Sequence, residues 1–78
     1  MAGIHYDHVV DGPLSERIDV ASATVTYIGE AIVGTLGSAA TWRIQRVTVS
    51  GSVTSIEWAD GNANADNVWD DRASLSYS

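Results

Sequence analysis

Alternating apolar and polar positions predict β-strands along most of this chain. Residues 23–29 combine β-branched and aromatic side chains, with Val25 and Tyr27 on one face of the predicted strand. Residues 41–49 and 53–59 alternate in the same way and predict two further strands. Three segments therefore have the period of two that is typical of a sheet with one buried face.

The N-terminal part has a weaker pattern. Residues 4–10 lean towards a strand, and the Asp-Gly-Pro sequence at 11–13 predicts a turn after it. Residues 14–20 fit either a strand or a short helical turn capped by Ser15. We expect residues 1–22 to be a candidate N-terminal arm of a single domain that covers residues 1–78.

The two central strands predict a hairpin whose loop decides which side chains are buried. We expect a three-residue loop at 50–52 with Gly51 at positive φ, which sets Ile44 opposite Trp58. A two-residue loop would set Ile44 opposite Glu57, and we favour the longer one. The predicted core face carries Trp42, Ile44, Ile56 and Trp58. The predicted outer face carries Arg43, Gln45 and Glu57.

The C-terminal third predicts a turn, a short helix and a last strand. Residues 60–65 are typical of a turn, and residues 66–74 fit a helix capped by Asn64. Leu75 and Tyr77 alternate as a terminal strand would. The predicted fold class is mainly β: a small antiparallel sheet or sandwich of about five strands, with one short helical turn near the C-terminus.

Apolar residues outside the predicted strands indicate an interface. Residues 30–40 contain three glycine or serine positions and predict a loop with an extended arm, whose apolar side chains would be exposed on a monomer. Among the tryptophans, we expect Trp69 to lie at the surface or in an interface, with Arg72 holding the tail through Trp69 or an acid. The predicted interface residues are Ile32, Val33, Leu36, Trp69, Arg72 and Tyr77.

Size and charge narrow the class of protein. The chain has 78 residues, no cysteine and a formal net charge of −6, so disulfides are excluded and binding to nucleic acid or anionic membrane is not expected. No stretch is long and apolar enough for a membrane helix, and the N-terminus lacks the basic and apolar regions of a signal peptide. A core this small is marginal, which favours assembly with partners.

Two clusters of polar residues resemble metal sites, and we expect neither to bind one. The spacing of the acids and amides after Trp58 is near that of a calcium loop, but Ala65 stands where such loops have glycine. Its candidate ligands are Asp60, Asn62, Asn64, Asp66 and Asp71. We expect Asx turns there instead. His5 and His8 are expected to be exposed or interfacial and to titrate near neutral pH.

The sequence predicts no enzyme, no catalytic residue and no cofactor. No serine lies in a nucleophile elbow, no glycine-rich loop carries the lysine of a phosphate site, and the adjacent Asp70 and Asp71 would diverge on a helical turn. A chain of this length also has little room for a shaped pocket.

Four blocks of the chain resemble a family of small virion structural proteins of tailed bacteriophages. The blocks are YIGEA at 27–31, ATWRIQR at 40–46, IEWADG at 56–61 and NVWDDRASLSY at 67–77. The resemblance covers residues 23–78. It implies a non-enzymatic virion protein that is made in the host cytoplasm, forms homo-oligomers and contacts the major capsid or a tail protein.

Within that family resemblance, we expect a capsid-surface cement or decoration subunit. The alternative is a tail- or fibre-associated component. A third alternative is a carbohydrate- or receptor-binding module, which would require Trp69 and Tyr77 to line an exposed groove.

Overall fold

The structure, a computed structural model, describes residues 13–78. Five strands form one antiparallel sheet in the order β1-β2-β3-β4, with β5 paired to the beginning of β3. The elements are β1 (Leu14–Val20), β2 (Val25–Ile32), β3 (Ala40–Ser50), β4 (Val53–Trp58), β5 (Asn67–Val68) and a 3₁₀ helix (Trp69–Ser74). The predicted mainly-β class is confirmed, as a sheet. The predicted strand at 4–10, the arm before residue 13, and His5 and His8 lie outside the described residues.

The ambiguous segment at 14–20 is a strand rather than a helical turn. It pairs with β2 along its whole length, and Ile18 lies directly opposite Ile28. A paired strand places its alternating apolar and polar side chains on opposite faces of the sheet. A helix would distribute the same side chains around its surface. The strand predicted at 23–29 also runs further than expected, because β2 continues to Ile32 at the start of the predicted loop.

The predicted register of the β3–β4 hairpin is wrong by one residue. Ser50 pairs with Val53, so the loop has two residues, Gly51 and Ser52, and Trp58 lies opposite Gln45 instead of Ile44. Gly51 has φ +62°. A two-residue loop with glycine at its first position is a favoured hairpin turn, because its twist matches that of the strands.

That single residue moves the side chains of β4 to the other face of the sheet. Directly opposed residues share a face, so Ile56 and Trp58 lie with Val47 and Gln45, away from the core. Glu57 lies on the core side, where its carboxylate accepts a hydrogen bond of 2.7 Å from Arg46. The predicted core positions of Ile56 and Trp58 and the predicted outer position of Glu57 are therefore wrong.

The core lies between one face of the sheet and the C-terminal tail. Its buried apolar residues are Tyr27, Ala31, Trp42, Ile44, Ala59 and Trp69. The rings of Trp42 and Trp69 pack 5.7 Å apart. Gly29 lies in the middle of β2 beneath both rings, and its lack of a side chain leaves the space that Trp69 occupies. The predicted core positions of Trp42 and Ile44 are confirmed.

The tail is less helical than expected. The helix begins at Trp69, is a 3₁₀ helix, and has no side-chain cap, because the residues before it pair with β3 as strand β5. Asn64 instead donates its backbone N–H to the side chain of Asn62. The predicted terminal strand is reduced to one bridge, between Ala59 and Tyr77.

Candidate functional site

One face of the sheet carries no buried side chain among the described residues, and we call it the open face. It carries the apolar side chains of Leu14, Ile18, Val20, Ile28, Ile32, Val47, Val49, Ile56 and Trp58. Ile18, Val20 and Ile56 are 62%, 70% and 60% exposed. Scattered exposed apolar residues are ordinary, but a contiguous patch across four strands is typical of a site that binds another molecule.

The strand register arranges the open face in rows. One row consists of Ile18, Ile28, Gln45 and Trp58, and the next consists of Val20, Thr26, Val47 and Ile56. Such cross-strand neighbours lie about 5 Å apart, so the two rows form a mostly apolar surface in which Thr26 and Gln45 are the polar members. Sequence reasoning missed this surface, because the wrong hairpin register placed two of its members in the core.

Charge on the open face is confined to one further row, Glu16, Glu30 and Arg43. Arg43 donates from Nε to the Glu30 carboxylate at 3.0 Å and also donates from Nη2 to the same oxygen. Glu16 lies opposite Glu30 in the strand pairing. The row therefore has one net negative charge and lies towards the end of the face that carries Leu14 and Ile32.

A cleft of about 440 Å³ lies beyond this charged row. Its lining is mostly apolar and small, and its two charged residues, Glu30 and Arg43, are bonded to each other. The remaining lining residues are Leu14, Ala31, Ile32, Thr35, Thr41 and Ala65. This chemistry suits an apolar group better than a reactive substrate.

The loop between β2 and β3 presents a second apolar patch, which we call the loop patch: Val33 and Leu36, which follow Ile32 at the edge of the open face. All three side chains are exposed, and Leu36 is 70% exposed. The Leu36 backbone is fixed, because its carbonyl accepts a hydrogen bond of 2.9 Å from the Trp42 indole. The predicted exposure of these residues is confirmed, and their role in an interface stays a prediction.

The other predicted interface residues belong to the tail and pack within the chain. Trp69 is only 5% exposed, so the prediction that it lies at the surface is wrong. Arg72 lies 4.5 Å above its ring and donates from Nε to Asp19 at 3.0 Å, so Arg72 holds the tail through both predicted partners. The Tyr77 hydroxyl donates to the Arg72 carbonyl at 2.8 Å. Its ring packs 5.8 Å from that of Tyr27.

Two more arginines stack on aromatic rings of the core. Cζ of Arg17 lies 4.8 Å from the centre of the Trp42 ring, and Cζ of Arg46 lies 4.7 Å from that of Tyr77. Arginine over an aromatic face is attracted by the negative charge of the π-system. Arg46 therefore helps to hold the tail, while Arg17 packs on β3. Of the four arginines, only Arg43 lies on the open face.

We expect the burial of Tyr77 to be visible in a titration. Burial, with a smaller effect from Tyr27, raises the pKa of the Tyr77 phenol to about 12 from an ordinary value near 10. The neutral phenol is favoured in the fold, so its contribution to stability is complete below pH 10 and is lost as the pH rises through 12. The ultraviolet absorbance of tyrosinate should show the late ionisation of Tyr77.

The control for this titration is a second variant in which a different tyrosine is replaced. The late ionisation should disappear in Tyr77→Phe and persist in Tyr6→Phe, which removes one of the three tyrosines elsewhere in the chain. An ionisation of Tyr77 near pH 10 would contradict its packing against Tyr27.

The acids after Trp58 form turns. Asp60 and Gly61 have φ of +59° and +71°, and the Asn62 side chain makes the expected Asx turn by accepting from the Asn64 N–H at 2.9 Å. Within residues 13–78, no three His, Asp or Glu side chains lie close enough together to hold a metal ion.

Comparisons with protein-family models, curated proteins and solved structures find no match for this chain. Over the same described range, no helix has the length and apolar character needed to cross a membrane.

Proposed function

We propose that this chain is a non-enzymatic structural subunit of a tailed-phage virion, with a cement or decoration role on the capsid surface. The observation that carries the proposal is an inverted distribution of large apolar residues. Four of them are buried in the described core, Tyr27, Trp42, Ile44 and Trp69. Nine are exposed, namely Leu14, Ile18, Val20, Ile32, Val33, Leu36, Val49, Val53 and Ile56.

A chain with this distribution gains stability from association. A small domain buries only about 60% of the surface of its unfolded chain, so few apolar contacts oppose its conformational entropy. Binding to partners that are fixed in a lattice stabilises the folded state. The stabilisation grows with the logarithm of the ratio between the partner concentration and the dissociation constant. Docking of the loop patch and the open face would thus bury apolar side chains that residues 13–78 leave exposed.

The virion assignment is supported by the family resemblance of residues 23–78, and the cement role by the two separate apolar surfaces. A subunit that joins neighbouring capsid proteins needs more than one contact surface. The loop patch lies in the β2–β3 loop, and the open face is formed by the strands. The carbohydrate-binding alternative is disfavoured, because it needs Trp69 in an exposed groove and that ring is 5% exposed.

The test is to locate the chain in particles. Virions are purified from a lysate of the host whose phage or prophage encodes the chain, the chain is detected by mass spectrometry, and cryo-EM maps are calculated. We expect copies in regular positions over the capsid lattice. Density confined to the tail or fibres would overturn the cement role, and absence from purified particles would overturn the virion assignment.

A matched pair of variants tests the contact surface in the same particles. Leu36→Asp places a charge on the loop patch, and Val53→Asp places the same charge on an exposed side chain at the far hairpin. We expect the Leu36 variant to lose most of its occupancy on the particle and the Val53 variant to retain it, because an unpaired charge in an apolar contact is costly.

A further inference from the structure

We propose, resting on the function proposed above, that the open face is covered by a second copy of this chain, so that the subunit acts as a face-to-face dimer. The two sheets would pack as the layers of a sandwich, with their apolar rows in contact. The loop patch of each copy would remain outside this contact and available to the virion. The second copy would then supply the second layer of a sandwich, of which residues 13–78 form one layer.

The shape of the open face favours another sheet as the occupant. It is formed by four adjacent strands with the common right-handed twist, and two such sheets pack face to face about 10 Å apart, with strands about 30° from aligned. The rows supply branched side chains of similar height, such as Ile18, Val20 and Ile56. A sheet of the same twist and the same row spacing is complementary to this surface.

The position of the charges favours a two-fold arrangement. The charged row, Glu16, Glu30 and Arg43, lies to one side of the apolar rows. A two-fold axis between the sheets and perpendicular to the strands reverses one copy end to end, so the charged rows fall at opposite rims. The apolar rows then meet each other at the centre, which is the distribution that protein interfaces show.

The area available is near the lower limit for a specific dimer. Strands about 4.8 Å apart and rows about 7 Å apart give the two four-stranded rows and the adjacent Val49–Thr54 pair a flat area of ~340 Å² on each copy. Because side chains project from this flat area, the total accessible surface that two copies would bury comes closer to the ~1,000 Å² that specific interfaces exceed. We therefore expect a reversible dimer that dissociates on dilution.

The experiment measures the oligomeric state of the full chain by sedimentation velocity over a wide concentration range. We expect a monomer–dimer equilibrium and a blue shift of tryptophan emission on association, because Trp58 lies in the contact while Trp42 and Trp69 are already buried. Ile56→Glu should raise the dissociation constant about 100-fold, since its charge would be buried without a partner.

The matched control is Val53→Glu. Val53 has the same exposed fraction as Ile56, 60%, and lies on the same strand but on the other face. It adds the same charge, so it should leave the dissociation constant within about threefold, a shift of less than 1 kcal/mol. Far-ultraviolet circular dichroism establishes that both variants fold.

The outcomes separate this proposal from the proposed function. A monomer at all concentrations, or a dimer that Ile56→Glu and Val53→Glu weaken equally, overturns the face-to-face dimer without affecting the virion assignment. A monomer whose Trp58 resists quenching by acrylamide also overturns it and indicates that residues of the same chain cover the face. A dimer sensitive to Ile56→Glu supports it even if the chain is absent from virions.

Discussion

Gly29→Ala should destabilise the protein by about 3 kcal/mol, at the upper end of the cost of overfilling a core. A methyl group at this position would lie 2.5 Å and 2.6 Å from two ring carbons of Trp69 and 3.1 Å from Trp42. Neither ring can retreat easily, since Trp42 is fully buried and Trp69 nearly so. A core of this size supplies only about 3–5 kcal/mol, so the variant should be largely unfolded in mild denaturant.

The sign of this effect makes it diagnostic. Gly29 does not lie in the left-handed region, and alanine in a strand interior is ordinarily more favourable than glycine by about 0.5–1 kcal/mol. Without the Trp69 contact, Gly29→Ala would therefore stabilise the chain. Chemical denaturation at low protein concentration, which disfavours the proposed dimer, measures the difference. An unchanged or raised midpoint would contradict the packing of Trp69 on β2.

Two further variants isolate the contact. Gly34→Ala adds a methyl group in open space at φ +93°, so it carries only backbone strain of about 1–2 kcal/mol. In the double variant Gly29→Ala with Trp69→Leu, the smaller side chain leaves room for the methyl group. The two effects should then sum to less than their separate values, as expected for residues in direct contact.

Strand periodicity was sufficient to predict the class and most of the strands, because a period of two over 41–49 and 53–59 does not fit the 3.6-residue period of a helix. It could not fix which face was buried. Ile56 and Trp58 share a face in either register, and one residue in the loop decides whether that face joins Ile44 or Gln45. The Gly51-Ser52 pair was the local signal for the shorter loop.

The tail was harder to predict, because its position depends on contacts distant in sequence. Trp69 is placed by Gly29 and Trp42, and Arg72 by Asp19, 53 residues away. Local propensity carries no information on such pairs. One signal was present: a glycine in the middle of a strand indicates a close approach by another group. Gly29 was therefore a signal in the sequence that a large side chain packs against this position of β2.

Replacement of a buried tryptophan gives the second large expected effect. The structure buries Trp69 and leaves Trp58 half-buried, whereas the sequence predicted Trp58 in the core and Trp69 at the surface. Trp69→Ala should cost about 3–5 kcal/mol, the usual range for removing a large aromatic from a core. The loss includes the stacking of Arg72 and the contact with Trp42, and with them the attachment of the tail. Near-ultraviolet circular dichroism should lose most of its tryptophan signal.

Trp58→Ala is the matched comparison, because it removes the same side chain from the open face. Trp58 is only half-buried there, among Gln45 and the branched residues of its row, so the monomer should lose about 1 kcal/mol. The same change should weaken self-association, which Trp69→Ala tests only through unfolding. If Trp58→Ala proves the more destabilising in the monomer, β4 lies in the register that the sequence predicted, with Trp58 in the core beside Ile44 instead of on the open face.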